Sequence, residues 1–251
     1  TDTDIDHNNS HQQLSLKIDC SNLLLRDAEN EVKVIVLQNR RWDNAVIGPQ
    51  YTGINNNTLL WEHCHSLIFE AGNEYRKAEF LSIRYPGMHG ESVRWIDPFY
   101  HYTMMTDYPR KNYLYDEDKN GLSVTRYDSN GDADYEADYV MMHFKLDMPY
   151  LPQGQQVYVY GQWTGNNLNP TCRMQYNDSE QAYTADILMK CGYYNYIYLC
   201  AKNDSARGYT QPTEGNFFQT ENEYDILVYH KPTGTRYWQL VGCITPIYRN
   251  K

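Results

Sequence analysis

Two stretches of the chain have the residue types and the spacing of a calcium-binding loop. Each places carboxylates and amides at alternate positions around an Asn-Gly turn, and the candidate ligands are Asp116, Asp118, Asn120, Asp128, Asn130 and Asp132. Calcium binds about six to eight hard oxygen atoms, and such an alternation can supply them. A bidentate acid should close each loop at its twelfth position, but Tyr127 and Tyr139 stand there. A solvated acidic hairpin is therefore favoured, with calcium binding as the alternative.

A second candidate metal site is the run His63-Cys64-His65. On a strand, residues two apart share a face, so both imidazoles would point the same way and suit a transition metal. The spacing of the other residues identifies no third ligand. Two ordinary polar residues on a strand are the favoured interpretation.

Motifs of nucleophilic, zinc-hydrolase and phosphate-loop enzymes are absent from the sequence. Isolated acids such as Asp186 are more simply read as surface residues of strands. The six cysteines are scattered without C-x-x-C spacing, which favours small buried side chains over a zinc site. We therefore predict a protein that is not an enzyme and needs no cofactor.

Aromatic residues in the second half of the chain suggest a different chemistry. The run VYVYGQWTGNN from Val157, followed by a Met strand and by GYYNYIY from Gly192, resembles the early-set sandwich of glycogen-binding modules. Trp163 and Tyr196 are the candidate rings for stacking on a sugar. Those modules usually carry a second Trp, where this chain has Gly165-Asn166-Asn167. Packing in the core is the favoured role of both rings.

The elements that carry these residues read as strands. Runs such as EVKVIVLQN from Glu31 and FYHYTMM from Phe99 are short, rich in Tyr, Val and Ile, and bounded by Gly, Pro, Asn and Asp. No segment keeps a helical period over about three turns. We predict an all-β protein of two Ig-like β-sandwiches, with domains at 1–108 and 137–251 and an acidic hairpin connection at 109–136. The second sandwich is expected to be of the early-set, glycogen-binding-module type.

Charge and hydropathy narrow the possible partners. The net charge of −10 argues against nucleic acid, because phosphates are neutralised by clustered Lys and Arg. No apolar run approaches the roughly 20 residues of a membrane-spanning helix, and the start TDTDIDHNNSHQQ is too polar for a signal peptide. We expect a soluble chain that is already processed or truncated.

Nine segments, taken in order, resemble the plug protein family of the type IX secretion system. They are HQQLSLKID, VKVIVLQNRRWDNA, FEAGNEYRKAEFLSIRYPG, DPFYHYTMMTDYPR, YLYDEDKNG, ADYVMMHF, VYVYGQW, GYYNYIY and EGNFFQTENEYDILVYHKPTG. The resemblance runs from about His11 to Gly242, and in that family a signal peptide and a further β-domain precede this region. It implies a periplasmic, non-enzymatic protein that binds the outer-membrane translocon barrel and closes its periplasmic mouth, peripheral to the membrane through protein contacts only.

Arg40, Arg41 and Trp42 are the first candidates for contact with that barrel. They follow a strand, and Arg and Trp are enriched at the centres of protein interfaces. We expect these side chains to project from the strand end. The alternative, that Trp42 folds back on its own domain and the arginines are merely solvated, stays open at this point. A carbohydrate-binding module of a cell-envelope protein is the competing function.

Overall fold

The computed structural model describes residues 5–23, 25–129 and 131–249. Strands make up 43% of the chain and helices 8%, in several sheets, which confirms the predicted all-β sandwich class. Within the described ranges no helix exceeds four residues: the α-helices are α1 (Ala28–Glu31) and α2 (Ala133–Glu136), and single 3₁₀ turns cover Ile5–His7, His65–Leu67, Gln162–Thr164 and Pro170–Cys172.

The chain divides into two compact units, and one of them is discontinuous. Unit 1 comprises Thr1–Gly72 and Asn216–Lys251, and unit 2 comprises Asn73–Gly215. Unit 2 is thus inserted into the sequence of unit 1. This division differs from the predicted domains, which ended at 108 and began again at 137. The stretch 109–136 belongs entirely to unit 2 and is not a connection between domains.

Unit 1 contains strands from both ends of the sequence. The first segment supplies β1 (His11–Gln13), β2 (Leu16–Asp19), β3 (Val32–Gln38), β4 (Val46–Ile47), β5 (Gly53–Asn55), β6 (Thr58–Trp61) and β7 (Ile68–Glu70). The second segment of unit 1 supplies β18 (Asn222–His230), β19 (Gln239–Ile244) and β20 (Ile247–Tyr248). Unit 2 contains β8 (Arg76–Phe80), β9 (Gly90–Ile96), β10 (Phe99–Met104), β11 (Ser123–Thr125), β12 (Tyr139–Leu146), β13 (Gln155–Tyr160), β14 (Gln175–Asn177), β15 (Ala182–Lys190), β16 (Gly192–Lys202) and β17 (Gly208–Tyr209).

The sheets of unit 1 explain why the predicted boundary fails. Its largest sheet has the order β19-β18-β3-β4, with β20 also on β18, and a second sheet has the order β2-β6-β5. The C-terminal strand β18 pairs along its whole length with β3, from Tyr224 opposite Gln38 to His230 opposite Val32. Apolar and polar residues alternate along β18, as is typical of a strand, but alternation does not specify the partner of a strand. The core beneath these sheets includes Val36, Trp61 and Tyr224.

Unit 2 is a sandwich of two sheets. One has the order β14-β15-β12-β10-β9, and the other centres on β16, which pairs with β8, β11, β13 and β17. Rings meet across the layers: Phe144 lies 5.4 Å from Tyr196, and Phe80 lies 5.4 Å from Tyr102, between ring centroids. Burying each such side chain stabilises the fold by roughly 1.5–3 kcal/mol. The likeness of this unit to early-set sandwiches stays a prediction.

A buried group of charges joins the two ends of unit 2. The carboxylate of Glu214, fully buried, accepts from Nε of Arg76 at 3.0 Å, from Nε of Arg110 at 2.6 Å and from the backbone N–H of Tyr198 at 2.8 Å. Burial opposes ionisation of Glu214, but Arg76 and Arg110 outweigh it and hold its pKa below the usual range. The charges are therefore mutually compensated in the core.

Asp107 extends this group. One of its oxygens accepts from Arg76 at 2.7 Å, and the other accepts from the hydroxyls of Tyr196 at 2.8 Å and Tyr198 at 2.7 Å. Burial works against its ionised form, but contacts with His89 and Arg76 keep its pKa low. We call the set Arg76, Asp107, Arg110 and Glu214 the buried ion cluster.

We expect residues 73–215 to fold as an isolated fragment. Both sheets of unit 2 lie within it, and its ends meet, because Nδ2 of Asn73 donates to the carbonyl of Glu214 at 3.0 Å. Thermal unfolding followed by circular dichroism should show one cooperative transition. The fragment 137–251 is the control and should show none, since it separates β18 from β3 and β12 from β10. The reverse result would restore the boundaries predicted from the sequence.

We expect Glu214→Ala to lower the free energy of unfolding by about 3–5 kcal/mol, because it removes the acid shared by Arg76 and Arg110 and leaves Asp107 as the one carboxylate of the cluster. The thermal midpoint should fall by roughly 10 °C. Glu180→Ala is the matched control: Glu180 pairs with Lys145 at 2.6 Å on the surface, where a pair contributes about 1 kcal/mol or less. Equal effects of the two substitutions would contradict a special role for the buried ion cluster.

Candidate functional site

Strand β19 exposes apolar side chains on both of its faces. Leu240 is 55% exposed and Ile244 is 63% exposed. They pair with Tyr229 and Ile226 of β18, which are three residues apart and therefore face opposite sides of the sheet. Val241 is also exposed. Ile247 of the following strand is exposed as well. A strand packed on its own domain normally buries one face, so this pattern is typical of a surface that contacts a partner.

β19 also lies at the edge of its sheet, where only β18 pairs with it among the described residues. The pairing contains a bulge: Val228 opposes Gly242 and Tyr229 opposes Leu240, which leaves Val241 as the extra residue. Trp238, just before β19, lines a groove of about 580 Å³ whose floor includes Leu59 and Trp61. Backbone groups at such an edge are available for pairing with another chain.

The turn after β3 approaches the same end of β18. The backbone N–H of Asn39 donates to the carbonyl of Glu223 at 2.8 Å, and Glu223 pairs in the ladder with Ile247. Asn39 and Arg40 both have left-handed backbone, with φ of 52° and 60°. The turn therefore brings Asn39 and Arg40 to the end of the sheet where β20 begins, and Trp42 follows two residues later in the same turn.

The three residues of this turn differ in exposure. Trp42 is 44% exposed and Arg40 reaches Glu223 at 3.8 Å from a solvated position. Arg41, in contrast, is buried, and its guanidinium donates to the buried carboxylate of Asp43 at 3.1 and 2.6 Å. The expectation that Arg41 projects was wrong, because its ion pair closes the turn. We define the apolar edge surface as Trp42, Trp238, Leu240, Ile244 and Ile247.

The two rings predicted as sugar platforms lie in the core of unit 2. Tyr196 is fully buried, and its hydroxyl donates to Asp107. Trp163 is partly buried and packs on the same core, with its ring centroid 6.5 Å from Phe144 and 5.9 Å from Tyr194. Neither presents a flat exposed face, so the favoured interpretation of core packing is the one that the geometry supports.

The acidic segment does not assemble a calcium loop within the described residues; Asn130 lies outside them. Asp116 pairs with Lys77, and Asp132 caps α2 by accepting from the backbone N–H of Asp134 at 2.9 Å. Asp128 donates its backbone N–H to the carbonyl of Leu81. The carboxylates of Asp116 and Asp132 thus serve as an ion-pair partner and a helix cap on separate parts of the segment.

Asp118 is the exception in this segment because it is largely buried. It accepts from the backbone N–H groups of Tyr75 and of Asn120, the latter at 2.7 Å. Asn120 and Gly121 have φ of 49° and 86°, which confirms the predicted tight turn at this pair. Burial raises the pKa of Asp118 to about 6, and the two backbone N–H bonds only partly offset it.

His63, Cys64 and His65 do not lie on a strand. β6 ends at Trp61, His63 has left-handed backbone with φ of 52°, and His65 begins a 3₁₀ turn. Cys64 is buried, whereas His63 and His65 are exposed. In the part of the chain that the structure describes, no three His, Cys, Asp or Glu side chains converge to hold a metal ion. All six cysteines are free thiols, and five of them are buried, as expected for small apolar side chains.

Between residues 5 and 249, the described portions contain no helix long and apolar enough to cross a membrane. The apolar edge surface was not predicted from the sequence. The signal was present: the run YWQLVGCI carries no charge and does not alternate with polar residues.

Comparison with solved structures gives a match over nearly the whole chain. The chain is similar to a crystal structure of a hypothetical protein from Parabacteroides merdae, with 41% identity and a TM-score of 0.93. The alignment covers 98% of this chain and 62% of the other, so this chain spans less than two thirds of the length of the protein it matches. No protein-family model and no curated protein matches the sequence. The likeness supports the fold and names no activity.

We expect Asp118 to make stability fall as pH rises through about 6. A folded-state pKa raised above the ordinary 3.8 means that its contribution is complete below 3.8 and is lost above about 6. Between about pH 4 and pH 7.5, the difference in unfolding free energy should move in favour of Asp118→Asn by roughly 2 kcal/mol, after allowance for partial solvent screening. Urea unfolding of both proteins at each pH measures it. Asp116→Asn, on the exposed part of the segment, controls for the change in charge, and a pH-independent difference would contradict the prediction.

Proposed function

We propose that this chain is a non-enzymatic, periplasmic component of the type IX protein secretion system. In this proposal it binds the outer-membrane translocon barrel and closes the periplasmic opening of that barrel. It reaches the outer membrane through contacts with protein only. It requires no cofactor.

The single structural observation that supports this proposal is the apolar edge surface. A stopper must bind a protein wall, and protein interfaces centre on aromatic and aliphatic side chains with a nearby Arg. Trp42, Trp238 and Ile244 supply the apolar part, and Arg40 lies in the turn beside it. The ordered resemblance of nine segments supplies the identity of the partner.

The energetics of this surface suit a stable contact. Each apolar side chain removed from water contributes roughly 1.5–3 kcal/mol before the cost of association is deducted. A strand edge adds backbone hydrogen bonds when a partner strand pairs with it. The edge therefore offers apolar area that a partner can bury and backbone groups that fix the orientation of a partner strand.

No structural observation favours the sugar-binding alternative. Trp163 and Tyr196, its two candidate rings, pack in the core of unit 2. A glycan array would bring that function back only if binding depended on a different, exposed aromatic residue.

We expect Ile244→Lys to weaken co-purification of the native translocon by tenfold or more, because it places a charge at the centre of the apolar edge surface and a loss of about 1.4 kcal/mol is tenfold. Ile54→Lys is the matched control: Ile54 is 54% exposed on β5 of the same unit. The measurement is quantitative capture of the barrel from detergent-solubilised outer membranes. Thermal midpoints of both variants should stay close to the wild type.

Failure of the wild-type chain to capture the barrel would overturn the proposed function. Capture that Ile244→Lys leaves unchanged, and that Trp42→Ala also leaves unchanged, would keep the function but reject this surface.

A further inference from the structure

The outer face of the β9-β10-β12-β15 sheet in unit 2 brings two histidines and an aspartate together. His143 of β12 lies directly opposite Asp186 of β15, and Thr103 of β10 lies opposite His143, which places His101 on the diagonal. Neighbouring positions such as Tyr102, Met142 and Ile187 point into the core. The three polar side chains therefore share the solvent-facing side.

The ring nitrogens of the two histidines converge. Nδ1 of His101 lies 2.7 Å from Nε2 of His143, with ring centroids 4.9 Å apart and planes only 20° from parallel. Nδ1 of His143 lies 2.6 Å from Oδ1 of Asp186. Because an ionised carboxylate only accepts hydrogen bonds, the proton of a neutral His143 is on Nδ1. Its Nε2 then carries a lone pair aimed at His101.

This arrangement has the form of a metal ligand with its supporting carboxylate. Histidines that bind metals usually donate their other ring N–H to a carboxylate, which fixes the tautomer and raises the basicity of the ligating nitrogen. Asp186 does this for His143. In the absence of a metal, the Nδ1–H of His101 donates a hydrogen bond to the lone pair on Nε2 of His143.

We propose that His101 and His143 bind a divalent transition metal ion of the zinc class through Nδ1 of His101 and Nε2 of His143, with Asp186 as the positioning residue. This inference is independent of the translocon role. Nitrogen ligands of the imidazole type suit zinc, copper and nickel. Water completes the coordination, and the exposed Glu91 lines the same groove of about 730 Å³.

Metal binding requires the two rings to turn. The nitrogens are 2.7 Å apart and the ring centroids 4.9 Å apart, so the two nitrogens point almost straight at each other. Zinc bound tetrahedrally at about 2.0–2.1 Å from each nitrogen separates the nitrogens by about 3.3 Å and needs their lone pairs to meet at about 109°. The pair must therefore open by about 0.6 Å, and the rings, which line a groove open to solvent, must turn relative to each other by several tens of degrees. The ion replaces the proton between the nitrogens: His101 takes the Nε2–H tautomer and its Nδ1 lone pair binds the metal.

Other charges face the site from each neighbouring strand. Arg94 of β9 lies opposite His101 in the ladder, and Lys145 of β12 is paired with Glu180 at 2.6 Å. Asp186 and Glu91 contribute negative charge, which offsets the repulsion between the metal cation and Arg94. Protons compete with the metal for imidazole nitrogens, so binding must weaken in acid.

The test is calorimetric titration of Zn²⁺ into the full chain, free of any histidine tag and stripped with chelator, at about pH 7.5 and about pH 5.5. We expect one saturable site per chain at the higher pH and at least tenfold weaker binding at the lower. His101→Gln and His143→Gln should each weaken it tenfold or more, and Asp186→Asn by about 10–100-fold. The double variant His63→Gln with His65→Gln is the control and should bind as the wild type does.

Circular dichroism of each variant establishes that it is folded. The proposal is overturned if the wild type shows no saturable binding at about pH 7.5, if binding is equally strong in acid, or if His101→Gln and His143→Gln bind as the wild type does. Loss of binding in the His63 and His65 double variant alone would also overturn it, because it would move the site to unit 1.

Discussion

The fold of unit 2 depends on the buried ion cluster. Glu214 lies 138 residues from Arg76 in sequence, yet the two side chains form a direct ion pair with no exposure on the glutamate. Burying a single charge of either sign costs several kcal/mol, and only a matched set with filled hydrogen bonds returns that cost. The cluster therefore forms only when the beginning of β8, the segment around Asp107 and the chain before Gly215 come together. The cluster thereby links the beginning and the end of unit 2, whose sequence is inserted into that of unit 1.

The elements of the fold were largely predictable, but their assignment to domains was not. Alternation of apolar and polar residues identifies β3, β10, β12, β16 and β18, because each has one face toward a core. Pairing is a different property. Gln38 and Tyr224 lie 186 residues apart and still meet in one sheet, and nothing local to either residue encodes the other. A discontinuous domain is invisible to any argument that follows the chain, since such an argument assigns neighbouring segments to the same unit.

Some predictions of site residues agree with the structure and others do not, and each outcome has a physical reason. Tyr and Trp occur both on sugar-binding surfaces and in protein cores, so the roles of Tyr196 and Trp163 could not be assigned from the sequence. Arg41 was expected to project, but Asp43, two residues later, provides a buried partner for it. His101 and His143 lie 42 residues apart, and they meet because β10 and β12 are parallel neighbours, which no spacing rule for metal motifs includes. Residue type alone supports a list of possibilities, and topology selects among them.

The edges of the sheets give the strongest physical reason to expect a partner. Exposed strand edges invite uncontrolled pairing, and proteins protect them by keeping them short, charged or covered. In the described residues β4, β5 and β14 have at most three residues, and β9 carries Glu91 and Arg94. The outer side of β13 is covered by the chain at Arg173 and Met174. β19 has six residues, no charge and apolar side chains on both faces, with one bulge as its only protection. An edge of this composition is a liability for a protein that stays alone, and it becomes an asset once a specific partner covers it.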